Sequence, residues 1–126
     1  MLAMLLALSA QAGSVAPKVT PGTPEVQGSL DKDLIRRIVR RHVRELEKCY
    51  QDGLAEDPEL QGRVVLAITI LSTGAVGSAV VQSTTLHNQA VEQCLAAAVK
   101  GFQFPRPAGG NVVITYPFIL KPADAD

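Results

Sequence analysis

The sequence predicts an α+β fold: helix, strand, strand, helix, strand, with two helices packed on one three-stranded antiparallel/mixed sheet of order 2-1-3. Three observations carry that expectation. An apolar stripe with gaps of three and four runs from residue 31 to about 52. Two β-branched runs flank a Ser-Thr-Gly turn, and a second helical stripe separates them from a last β-branched run. The chain has 126 residues, enough for one domain, and 47% hydrophobic residues exclude a disordered chain.

In the first helix the stripe is Leu34, Ile35, Ile38, Val39, Val43, Leu46, Cys49 and Tyr50. Ser29 or Asp31 suits the N-cap, and Gly53 suits a left-handed stop. Asp57-Pro58 marks a turn. Residues 62–70 then read as a strand, with Val64, Leu66, Ile68 and Ile70 on one face and Val65, Ala67 and Thr69 on the other. Ser72-Thr73-Gly74-Ala75 supplies the turn, and Val76 to about Ser83 the partner strand. Residues 88–100 form the second helix, with Val91, Cys94, Leu95, Ala98 and Phe102 at helical spacing. Residues 104–110 are rich in Pro and Gly and read as a loop, and residues 112–120 as the last strand.

Handedness sets the expected topology. A right-handed crossover through the second helix brings the last strand beside the first, parallel to the second. The last strand then lies at an edge, where Pro117 is tolerated because an edge strand leaves some N–H positions unpaired.

The ends read differently. Residues 1–12, MLAMLLALSAQA, are too short to span a bilayer, which takes roughly 20 apolar residues. They read as a secretory signal ending in Ala10-Gln11-Ala12, with a cut between Ala12 and Gly13. Residues 13–29, with Pro17, Pro21 and Pro24, read as an extended linker. The folded domain is expected over residues 30–120 and a flexible tail over 121–126.

Net charge is zero, from 12 Lys+Arg against 12 Asp+Glu, and aromatics make up only 4%. Both argue against nucleic acid as a partner. The zero is uneven, however: residues 31–48 hold seven Lys/Arg against four Asp/Glu, a net of +3. A basic face carrying Arg36, Arg40 and Arg44 could meet an acidic partner, anionic headgroups or peptidoglycan, or serve only as a solubilising surface.

Cys49 and Cys94 fall on the two helical stripes and, in an exported chain, are expected to form a disulfide between helices. A zinc site is not expected. His42 and His87 each precede a cysteine by seven residues, a helical rise of roughly 10.5 Å that prevents chelation within one helix. No nucleophile elbow or phosphate loop occurs, so neither catalysis nor a cofactor is expected. For an enzyme or inhibitor, the polar candidates would be Ser83-Thr84-Thr85 and Arg63.

Gly62-Arg63-Val64, the turn glycine Gly74, Val76, Ser83-Thr84 and Phe102-Gln103-Phe104-Pro105 together resemble the C-terminal domain of TonB proteins. Cys49-Tyr50, the Cys94 helix and Tyr116-Pro117-Phe118 make the sequence more similar to the AgmX/PglI C-terminal family, a TonB-like variant of gliding and predatory delta-proteobacteria. The resemblance covers residues 31–120. It implies a periplasmic, non-catalytic domain that binds an extended peptide of an envelope or outer-membrane protein beside its last strand. The carried-over site is Val113, Thr115, Tyr116, Pro117 and Ile119. The membrane helix and long Pro-rich spacer of TonB have no counterpart here, so the resemblance extends to binding and not to energy transduction. The same exposed edge could instead pair with its own copy as a homodimer.

Overall fold

The alternation that predicts the central strand is realised in burial: Val64, Leu66, Ile68 and Ile70 are sealed in the core. The structure is a computed structural model, described here over residues 16–123. Its elements are β1 (Pro17–Pro21), β2 (Glu25–Gln27), α1 (Lys32–Arg41), α2 (Val43–Glu56), β3 (Gly62–Ile70), β4 (Val76–Thr84), α3 (Gln89–Lys100) and β5 (Val112–Pro122). The expected signal segment, 1–12, lies outside the described residues, as do 13–15 and 124–126.

The fold is α+β, but the three-stranded sheet of order 2-1-3 is corrected. The sheet has five strands in the order β1-β5-β3-β4, with β2 also on β5, and every pairing is antiparallel. The two extra strands come from the segment expected to be a linker. Proline does not exclude such a segment from a sheet, because a strand at an edge needs only alternate N–H groups on its paired side. Val19 is buried on the helix side of the sheet. Between β1 and β2 the Gly22 N–H donates to the Pro117 carbonyl at 2.8 Å.

That pairing also explains Pro117. In a strand, a residue's N–H and C=O point to the same side. The missing N–H of Pro117 therefore faces the interruption between β1 and β2, and the strand stays interior. Accordingly Val113, Thr115, Tyr116, Pro117 and Ile119 do not form an edge: β3 flanks β5 on one side and the β1–β2 arm on the other. Nor are residues 121 and 122 a tail, since they pair with β1, and the Ala123 N–H donates to Ala16 O at 3.0 Å.

The first predicted helix is two. Asp31 caps α1, its carboxylate accepting from Asp33 N, and the helix ends at His42 with φ −108° and ψ 13°. The His42 ring stacks on Phe102 at 4.3 Å between centroids and meets Glu45 Oε2 at 2.8 Å. The chain thus turns where the His42 ring docks on the segment after α3. Gly53 is not a stop, because α2 runs on to Glu56. Its role is close approach: a Cβ there would lie 2.5 Å from Val91 Cγ2 on α3.

Helices cover one face of the sheet. Tyr50, Leu46, Leu66, Ile68, Leu95, Ile114, Tyr116 and Phe118 are fully buried between the layers. The other face is open and displays Val113, Ile119 and Val80.

Because the arm caps β5, a chain beginning at Ser29 is expected to unfold at lower urea and to self-associate. Sedimentation velocity over a concentration series checks it; a monomeric, equally stable truncation would contradict the arm's role.

Candidate functional site

With β5 covered, β4 is the sheet edge that carries no arm. Among the described residues it pairs only with β3, with register shifts between Val65 and Leu66 and between Thr69 and Ile70. Its outward N–H and C=O groups can take another strand. The residues alternate as the pleat requires: Ala79 is buried toward the helices, whereas Val80 is 56% exposed on the open face.

Alongside this edge, α3 leaves a groove of about 310 Å³ lined by Ala79, Val80, Val81, Glu92, Gln93 and Ala96. Its Thr84-proximal end is built by the turn into α3. The Asn88 Oδ1 accepts from Val91 N at 3.0 Å, capping the helix. Glu92 reaches back, its Oε2 accepting from Asn88 N at 3.2 Å and from the Thr84 hydroxyl at 3.0 Å. Thr84 Oγ1 in turn accepts from Leu86 N at 3.0 Å. His87 sits in the left-handed region, with φ 59°. Glu92 is only 9% exposed, yet both of these bonds fall on one oxygen, and no Lys or Arg pairs with it among the described residues.

The expected site residues scatter. Val113, Thr115, Pro117 and Ile119 lie on the open face of an interior strand, with Val113 40% and Ile119 36% exposed. Tyr116 points the other way, stacked on Phe118 at 4.8 Å with its hydroxyl buried and unpartnered. Burial raises its pKa, and the Arg36 and Arg40 guanidiniums partly offset the rise. Those two arginines thus lie on the Tyr116 side of α1, while Arg44 follows on α2 and is exposed. Of the polar group at 83–85, Thr84 and Thr85 are used locally: Thr85 Oγ1 accepts from Arg63 N at 2.9 Å and locks the end of the hairpin. Arg63 and Thr85 border an open depression with Gln61, Ile119 and Lys121. Among the described residues no group of three or more His, Cys, Asp or Glu could hold a metal ion.

Cys49 and Cys94 form the disulfide, joining α2 to α3 with Cα atoms 5.6 Å apart. Cys49 is buried but Cys94 is exposed, so the bond ties the helices at the rim and not from within a shared core. A cleft of about 190 Å³ with Asp52, Glu56 and Asn88 on its walls adjoins it. A disulfide fits an oxidising compartment outside the cytoplasm. No described helix is long and apolar enough to cross a membrane.

Tyr50 anchors α2 from below, its hydroxyl donating to the Leu60 carbonyl. Burial, helped by the nearby Asp57 carboxylate, pushes its pKa up to about 12. The fold therefore favours the neutral phenol. Stability from this group is full below the ordinary tyrosine pKa of about 10 and is lost as pH rises toward 12. Urea melts between pH 8 and 12 should show this decline, and Tyr50→Phe should reduce it to the share left by Tyr116 while lowering stability at pH 8 through the lost hydrogen bond.

The β4 groove was missed by sequence reasoning, although two signals mark it. Asn88 and Glu92 resemble a helix-capping pair, and Val80-Val81 places apolar residues on both faces of β4. No protein-family model matches the chain, and no solved structure matches it. A 90-residue stretch is 29% identical to the tyrosine-protein kinase MasK of Myxococcus xanthus (strain DK1622), covering 71% of this chain. The match spans 14% of that protein's length.

Proposed function

We propose that this is a non-catalytic protein-interaction domain of the cell envelope, of the TonB C-terminal type. It takes an extended peptide of a partner by adding it as a strand. The observation that carries this reading is the uncapped β4 edge bordered by the α3 groove. Main-chain hydrogen bonds along the edge supply affinity, and the groove receives alternate side chains of the added strand. The described order of α2, the Gly62-Arg63-Val64 strand, the Gly74 turn, β4, α3, Phe104-Pro105 and β5 supports the type. The disulfide supports an exported location.

The similarity to MasK, confined to a small share of that kinase, favours a domain that recurs within longer chains. Catalysis is not part of the proposal, and the Thr84 hydroxyl is read as a structural group of the turn into α3, donating to Glu92 and accepting from Leu86 N.

Hydrogen exchange on the purified domain tests the reading. With a panel of extended ten-residue peptides, amides of 76–84 should gain protection, while those of 17–27 should not change. Protection appearing with rising protein concentration alone would favour the homodimer instead. Protection confined to β1 and β2, meaning that the arm is the docking edge, would refute the β4 assignment.

A further inference from the structure

The chemistry of the groove specifies more than an extended backbone. We infer, resting on the reading above, that the β4 edge selects a segment in which a Lys or Arg lies two residues from a small aliphatic residue, the cation meeting Glu92 and the aliphatic side chain seating on Ala96.

Charge complementarity commits the site to a cationic partner. Glu92 is the one charged group lining this groove, and it is 9% exposed with no cationic partner among the described residues. Its Oε2 is held by Thr84 and Asn88, which fixes the carboxylate in place and leaves Oε1 without a donor among the described residues. A carboxylate that is ordered and largely withdrawn from water attracts a cation more strongly than one on an open surface. The rest of the lining is small, apolar or uncharged: Ala79, Val81, Ala96, Gln89 and Gln93.

Spacing follows from the two geometries. Glu92 and Ala96 are one helical turn apart, about 6 Å along α3. Two residues of an added strand advance about 6.6 Å and return the side chain to the same face. A spacing of three would place one of the two side chains on the open face of the sheet. A second copy paired edge to edge does not supply that cation, since β4, Val76–Thr84, contains neither Lys nor Arg.

Fluorescence anisotropy with labelled ten-residue Thr/Val/Ser peptides tests this. The panel carries Lys-x-Ala, Ala-x-Lys, Glu-x-Ala or Lys-x-x-Ala; the first two cover both strand directions. Either Lys peptide with the two-residue spacing should bind about tenfold more tightly than the Glu-x-Ala and Lys-x-x-Ala peptides. The Glu92→Gln variant should lose the preference for Lys over Glu. That variant retains a carbonyl acceptor for Thr84 and Asn88, and a thermal melt confirms that it folds.

Peptides that protect β4 amides without any charge preference, or a preference unchanged in Glu92→Gln, would overturn this inference and leave strand addition standing. If no peptide of the panel protects β4, strand addition and charge selection both fall. Equal binding of the two Lys spacings would overturn the seating on Ala96.

Discussion

Removing the Cys49–Cys94 bond by the paired Cys49→Ala and Cys94→Ala changes is expected to lower the unfolding free energy by about 4 kcal/mol. The bond closes a separation of 45 residues, running from α2 through the hairpin to α3. In the chain-entropy account the loss comes mostly from the freed unfolded chain. The denaturant slope should therefore rise as well, since a chain without the cross-link exposes more surface on unfolding. A further contribution acts in the folded state. Cys49 leaves a small cavity where it is buried, whereas Cys94 is exposed and leaves none. Urea melts of the oxidised wild type and the double variant measure both quantities. A loss below about 1 kcal/mol with an unchanged slope would show that the bond constrains little.

Gly74→Ala is expected to cost about 3 kcal/mol, the largest effect of any single methyl group in the hairpin. Gly74 has φ +91°, and an added Cβ would fall 2.0 Å from the carbonyl oxygen of Phe104. The glycine is pinned on both sides, its N–H donating to Leu71 O at 2.8 Å and its carbonyl accepting from Phe104 N at 2.9 Å. Moving the backbone to admit a methyl group would break the joint between the hairpin tip and the segment after α3. Gly109 separates the two causes, because it has φ +90° with nothing within 4 Å of a Cβ. Gly109→Ala should therefore show the conformational penalty alone, about 1 kcal/mol. Equal losses at the two positions would mean that the contact with Phe104 carries no energy.

These contacts also mark how far the sequence is legible. The period-2 pattern of residues 62–70 and the 3.6-residue stripe of 88–100 depend on neighbours a few positions away. They predicted β3 and α3 nearly to the residue. The Cys49–Cys94 pair was legible on other grounds, since two lone cysteines on facing helices of an exported chain are most simply joined. His42 was not legible as a helix break: its ring docks on Phe102, 60 positions along the chain, and nothing local announces that contact. Glu92 likewise reads as one more exposed acid until Thr84 and the Asn88 N–H are seen to converge on it.

The sequence by itself determined β3, β4 and α3, the apolar stripe of the helical stretch after residue 31 though not its break at His42, and which cysteines meet. Only the tertiary structure decided which strand is left open. The residues of β5 carry no mark of being central, and the Pro-rich segment before residue 30 carries none of being a strand. Backbone hydrogen bonds are nearly blind to side-chain identity, so any extended segment that reaches an edge and avoids clashes can cover it. Here the β1–β2 arm covers β5, and the edge available to a partner is moved across the sheet to β4.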